Sequence, residues 1–255
     1  MIQLLNSRSL LSIALIIFII FQGFGIDFIW AQLLFDWQGG VWQFKHHWFT
    51  EQILHQAVRQ LNQIVIVLLI LTYLWQKFGS PTGYRPQFLR PNSTLPYGLL
   101  LLSVLVNFAM IALLKRLIPM DCPWDLQQFG GALPYIGLLS VRPDFMADNQ
   151  CFPAGHASIG FAWFGLYYFL LPTQPSTKSQ AHAVWALMLT TTFGFVLGLG
   201  QQLRGAHFFS HDIASASICW LSTSFIFLQS PKLKSLLSRT LQPKPSEPQK
   251  MENIK

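Results

Sequence analysis

Two histidines, a lysine and an arginine are the residues of this chain best suited to chemistry. Lys115 closes one apolar run, His156 opens another within "CFPAGHASIG", and Arg204 and His207 stand in "GQQLRGAHFFSHD" between two more. Cations together with free backbone N–H groups at a helix start suit a phosphate dianion, Arg as a bidentate fork and Lys as a point charge. Two histidines suit phosphoryl transfer, one attacking phosphorus and the other protonating the leaving oxygen. No carboxylate cluster calls for Mg²⁺ or Zn²⁺, so neither metal nor other cofactor is expected. Taken singly, each histidine could be a plain interface residue and Lys115 a lysine snorkelling to the headgroups. The chemistry rests on the set.

The elements that must gather this set are membrane helices. Of 255 residues, 52% are hydrophobic, 15% aromatic and only 11% charged, where soluble domains carry about 25% charged residues. An all-α integral membrane protein follows. Six segments approach the about 20 residues that a spanning helix needs: 10–34, 61–78, 97–115, 155–172, 181–200 and 212–230. Glycines interrupt the first and fifth, and Ser and Thr dilute the sixth. No small-residue cleavage site precedes Asp27, so the first segment reads as a retained span. Residues 1–230 then form one six-span domain, and 231–255 a basic, Pro-rich, disordered tail. The connector "GSPTGYRPQFLRPNSTLPYG" reads as ordered.

Formal net charge is +7, yet the basic residues sit in short clusters with no basic stripe, which argues against nucleic acid. With six spans, eleven Lys and Arg fall on one side and six on the other. The excess marks the cytoplasmic side of a bacterial-type plasma membrane and places both termini there. Lys115, His156, Arg204 and His207 then converge at the opposite, periplasmic or exterior, interface. Residues 41–60 read as an amphipathic helix lying on that surface. Its His47, Glu51 and His55, four residues apart, form either its polar face or a row of metal ligands. Asp27 is expected to be a buried or interfacial residue in a polar pairing, with Lys45 or Arg59 a candidate partner, and His182 to mark the cytoplasmic start of the fifth span. Oligomeric state leaves no signal.

The ordered segments "KRLIPMDCP", "FPAGHAS" and "RGAHFFSHD" resemble the three-part signature of the type 2 phosphatidic acid phosphatase superfamily, K-x6-R-P, P-S-G-H and S-R-x5-H-x3-D. The resemblance spans about residues 97–216, and the variants look like a bacterial branch of membrane-associated lipid phosphatases. It implies Lys115 as a phosphate ligand, His156 as general acid and His207 as the nucleophile that becomes a phosphohistidine. Gly155 and Ser158 fall in the phosphate-binding turn of the second motif. Ala154 stands in place of the second-motif Ser, and three further positions depart: Cys122 and Gln201 replace the motif arginines, and His211 replaces the carboxylate that orients the nucleophile. Arg204, one helical turn from His207 and within about 60° of its face, and Arg142 are candidates for the lost cations. Asp212 is a candidate for the lost carboxylate, although in a regular helix it points about 140° away from His207.

Cys122 and Cys151 share one outer loop on the oxidising side and are expected to form a disulfide, while Cys219 lies inside the sixth span. The leading expectation is a membrane phosphatase acting on a lipid phosphate or pyrophosphate. Alternatives are a lipid phosphotransferase using the same histidines, an inactive relative that binds lipid headgroups, and a b-type cytochrome. The last requires paired histidines deep within facing spans.

Overall fold

The computed structural model describes residues 7–78, 97–138, 140–143, 146, 149–171 and 177–230. The connector over 79–96 and the tail over 231–255 lie outside the described residues. Among the described residues the fold is all-helical, with two isolated bridges, Met120 to Gln150 and Leu126 to Leu133, and no strand.

The expected first span is two helices, α1 (Ser7–Gly23) and α2 (Ile26–Trp37), bent by 69°. Gly25 takes φ 68° at the break, a left-handed backbone that a residue with a Cβ avoids. α1 runs along the last helix, with Phe21 and Phe209 ring centroids 5.0 Å apart. α2 turns across the bundle end, where Phe28 and Phe35 pack on Phe129, Phe208 and Trp42.

Residues 38–47 form turns rather than the start of a surface helix. Phe49–Ala57 then winds as a π-helix, Val58 N–H bonding to the Ile53 carbonyl, and runs directly into α3 (Val58–Phe78). The expected amphipathic surface helix is therefore the end of a longer helix, Phe49–Trp75, 27 residues and apolar enough to cross a membrane.

Helix α4 (Tyr97–Leu117) buries Leu100, Val104, Asn107 and Ile111 at helical spacing. Asn107 Nδ2 donates to the Ala162 carbonyl at 3.1 Å and to Thr223 Oγ1 at 2.9 Å, tying α4 to the two inner elements of the bundle. Polar side chains of this kind join helices where water is absent.

The next element is α5 (Ala157–Phe161), a 3₁₀ turn (Ala162–Phe164) and α6 (Gly165–Phe169). Every residue of 157–169 is buried except Trp163 and Leu166, which are half-buried. At about 1.5 Å per residue this rod is about 20 Å long, short of the about 30 Å hydrocarbon core. Helices α7 (Thr177–Leu203) and α8 (Phe209–Leu228) enclose it. Gly160 of α5 and Gly194 of α7 permit that enclosure: a Cβ built on Gly160 would lie 2.3 Å from Gly194 N, and one on Gly194 2.2 Å from the Phe161 ring.

The six expected spans are thus not matched one for one. Among the described residues three helices are long and apolar enough to cross a membrane, Phe49–Trp75, Tyr97–Leu117 and Gln180–Leu203, and the bent α1–α2 pair would make a fourth. The run expected at 155–172 is, over residues 157–169, interior and broken. Helix α8 has the length, but buried Ser210, Ser215, Thr223 and Ser224 turn it toward the protein.

Candidate active site

Two loops meet at the end of the bundle where α4 finishes. Met120 N–H donates to the Asn149 carbonyl at 2.9 Å, and Cys151 N–H to the Met120 carbonyl at 3.2 Å. Cys122 and Cys151 are bonded through their sulfurs with Cα atoms 5.3 Å apart, inside the range a disulfide spans. Arg142 holds both oxygens of the buried Asp121, at 3.0 and 2.8 Å, and Asn149 Nδ2 adds a bond of 2.8 Å. Arg142, a candidate phosphate ligand by sequence, is therefore committed to the loop. Cys122, Asp125 and Cys151 bring possible metal-ligand atoms within 4.8 Å of one another, but the two sulfurs are bonded to each other.

The clasp presents two adjacent carbonyls to the site. Lys115 Nζ donates to the Gln150 carbonyl, and His211 Nδ1 lies 2.9 Å from the Cys151 carbonyl. A carbonyl only accepts, so His211 carries its proton on Nδ1 and offers Nε2 as an acceptor. That Nε2 is buried and unpartnered.

The second-motif turn hangs on α8: Ala154 N–H reaches the His211 carbonyl at 3.3 Å, and Ser215 Oγ donates to the Ala154 carbonyl at 2.9 Å. Gly155 lies close against Lys115: a Cβ there would stand 3.0 Å from Lys115 Cε and would press that side chain aside. Ser158 Oγ donates back to the Gly155 carbonyl at 2.6 Å, so its hydroxyl proton is used within the turn. His156 is half-buried. Its ring meets the His55 ring edge to face at 3.8 Å between centroids, and its Nε2 lies 3.3 Å from the His55 carbonyl.

The turn between α7 and α8 supplies the rest. Gly205 takes φ 73° with the Trp42 ring against it; a Cβ would lie 2.6 Å from that ring. His207 follows, 8% exposed, its Nδ1 without a hydrogen-bond partner among the described residues. Its ring centroid is 5.8 Å from that of His211. Burial pushes the His207 pKa well below the ordinary imidazole value, and the nearby Lys115, His211 and His156 push the same way. The Cys151 carbonyl acts the other way but is outweighed, which favours the neutral imidazole, with Nδ1 the unpartnered nitrogen.

Arg204 is 5% exposed and held on several sides. Nε donates to the Lys45 carbonyl at 3.0 Å, while Nη1 lies 3.1 Å from His55 Nδ1 and 3.4 Å from Gln201 Oε1. Nη2 is 3.9 Å from Glu51 Oε1. Asp212 does not reach His207: Oδ2 accepts from Gln202 Nε2 at 2.5 Å, and a Cβ on Gly198 would lie 2.1 Å from it. The carboxylate faces α7, as its place five residues beyond His207 suggests. Asp27 pairs with neither Lys45 nor Arg59. It accepts from Ser210 N–H at 3.0 Å, capping the start of α8, and from Gln22 Nε2 at 3.1 Å. Lys45 Nζ instead sits 4.4 Å from the Trp124 ring centroid.

Lys115, His156, His207 and His211 thus come together, Arg204 borders them, and Arg142 and Asp212 face elsewhere. Sequence reasoning did not assign Glu51, His55, Asp121 or Gln202 to the site. The four-residue recurrence of Glu51 and His55 was the one signal, and it did not say what their shared face would meet. No curated protein and no solved structure matches the chain. A family model described as the PAP2 superfamily matches residues 96–235, more than half of the chain, and takes in the Lys115, His156 and His207 segments. The chain belongs to the PAP2 superfamily.

Proposed function

We propose that this protein is a metal-independent membrane phosphatase that removes phosphate from a lipid phosphate or pyrophosphate through a phosphohistidine on His207. PAP2 membership supplies phosphatase-type chemistry in general form. The observation that carries the finer reading is His207 itself: neutral, buried, with a free ring nitrogen. It stands among Lys115, His156 and His211 at one end of the bundle.

The cycle has two displacements. A His207 ring nitrogen attacks phosphorus while the bond from phosphorus to the leaving oxygen breaks; His156, entering the step as the imidazolium beside the bound phosphate dianion, gives that oxygen the Nδ1 proton and becomes neutral. Lys115 offsets the charge on the transferring group as a point cation. Water, losing a proton to His156, then attacks the phosphohistidine, releasing phosphate and restoring neutral His207. His211, fixed by the Cys151 carbonyl, turns its accepting Nε2 into the same buried volume, in the motif position of the missing carboxylate. The lipid substrate enters from the outer leaflet, with both termini on the cytoplasmic side. If an acceptor lipid replaces water, the same steps give a phosphotransferase.

One observation favours a second reading, a relative that binds headgroups without turnover: Arg142 is paired with Asp121, and Arg204 is held by Lys45, His55 and Gln201. Phosphate release from purified protein decides between them. The panel is phosphatidic acid, phosphatidylglycerophosphate, polyprenyl pyrophosphate and lipid A, with His207→Ala as control. Release should persist in EDTA and stop with orthovanadate or His207→Ala. Loss on chelation, restored by a divalent ion, overturns the metal-independent route. Headgroup binding with no release from any substrate establishes the inactive relative.

A further inference from the structure

Glu51 and His55 lie on the π-helical segment Phe49–Ala57, outside the residues 96–235 that match the superfamily. Both reach the residues around His207. His55 does so twice, with different atoms for different partners. Its Nδ1 lies 3.1 Å from Arg204 Nη1; a guanidinium only donates, so Nδ1 is the acceptor and His55 carries its proton on Nε2. Its carbonyl lies 3.3 Å from His156 Nε2, and by the same reasoning that nitrogen holds the His156 proton. The ring contact at 3.8 Å fixes the plane of His156. Glu51, one turn earlier, stands 3.9 Å from Arg204 Nη2, the nitrogen with the fewest partners. π-Helical turns concentrate at functional sites, and this one brings a side chain and its own carbonyl to the same place.

We propose that His55 is a positioning residue for the reaction: its ring holds the plane of His156, whose Nε2 proton its backbone carbonyl accepts, and its Nδ1 fixes Arg204 at the edge of the phosphate site. The inference rests on the proposed phosphatase reading. Its two halves separate by substitution. Asparagine at 55 keeps an acceptor for Arg204 but no ring against His156. Phenylalanine keeps a ring but no acceptor.

The test measures kcat and KM of wild type, His55→Ala, His55→Asn and His55→Phe on a lipid phosphate and on p-nitrophenyl phosphate, whose leaving group needs no proton. His55→Ala should lower kcat on the lipid phosphate by about tenfold or more, since a displaced general acid forfeits part of a 10²–10⁴-fold contribution, and should raise KM. On p-nitrophenyl phosphate the rate of the p-nitrophenol burst, which reports loss of the leaving group before water attacks, should stay near wild type. Asn should restore KM but not kcat, and Phe kcat but not KM. Equal losses on both substrates, indistinguishable Asn and Phe variants, or unchanged kinetics overturn the proposal. If wild type releases no phosphate, the function reading fails by itself, and orthovanadate binding by tryptophan fluorescence decides this one. Wild-type affinity in Asn with weaker binding in Ala and Phe sustains it. Equal affinity throughout, or no binding by wild type, overturns it.

Discussion

Alanine at Gly160 would press on the contact that sets the position of His156. The new Cβ would lie 2.3 Å from Gly194 N, 2.5 Å from Gly194 Cα and 2.9 Å from the Thr190 carbonyl oxygen, where ordinary contact begins at 3.4 Å. These are backbone atoms of α7 and cannot rotate aside, so α5 and α7 must part by about 1 Å. Overpacking of this kind costs about 1–3 kcal/mol, and a purely backbone obstruction belongs at the upper end. The shift also travels: α5 starts at Ala157, the residue after His156. A displacement of about 1 Å at a reacting group lowers turnover by about 100-fold. Thermal unfolding in detergent and phosphate release from the same preparations measure both effects. Gly23→Ala is the control, because a Cβ there meets nothing within 4 Å. If Gly160→Ala unfolds with the control and turns over like wild type, α5 and α7 do not pack this closely and the placement of His156 is wrong.

Cys122→Ser and Cys151→Ser should each destabilise by about 3 kcal/mol, without adding in the double variant. Because the Gln150 and Cys151 carbonyls hold Lys115 and His211, reduction should lower turnover as well; free alkylation of both thiols without reductant refutes the bridge. Burial lowers the His207 pKa, so His207 stays neutral as pH falls through about 6.5, the ordinary imidazole value. The kcat/KM plateau on p-nitrophenyl phosphate should therefore extend below that pH, and an acid limb centred there would mean a solvated His207. Stability moves with the same sign: the unfolded chain takes up this proton below about 6.5 and the folded one does not, so stability falls from there toward the lowered folded value.

Much of the site was readable from residue types and order. Lys115, His156 and His207 stand at the ends of apolar runs, and a bundle of such runs brings their ends together. The direction of Asp212 followed from helix geometry alone. What periodicity cannot supply is the identity of the facing element. Glu51 and His55 share a face in any helix, but whether it meets water or Arg204 depends on α3 extending upward through π turns. Asp27 looked like half of an ion pair because charge suggests charge, whereas a buried helix start offers N–H groups that a carboxylate satisfies equally well. The count of six spans is not confirmed for a related reason: the run at 157–169 is almost wholly buried in protein, and apolarity does not distinguish protein from lipid.

The central claim is that His207 carries the phosphoryl group. Purified protein mixed with phosphate-labelled lipid substrate and quenched in alkali, where phosphohistidine survives, should hold label on the peptide containing His207. That label should be absent in His207→Ala and should accumulate when His156→Ala slows the attack of water. Turnover by wild type with no trapped label, or label that persists in His207→Ala, would contradict the account.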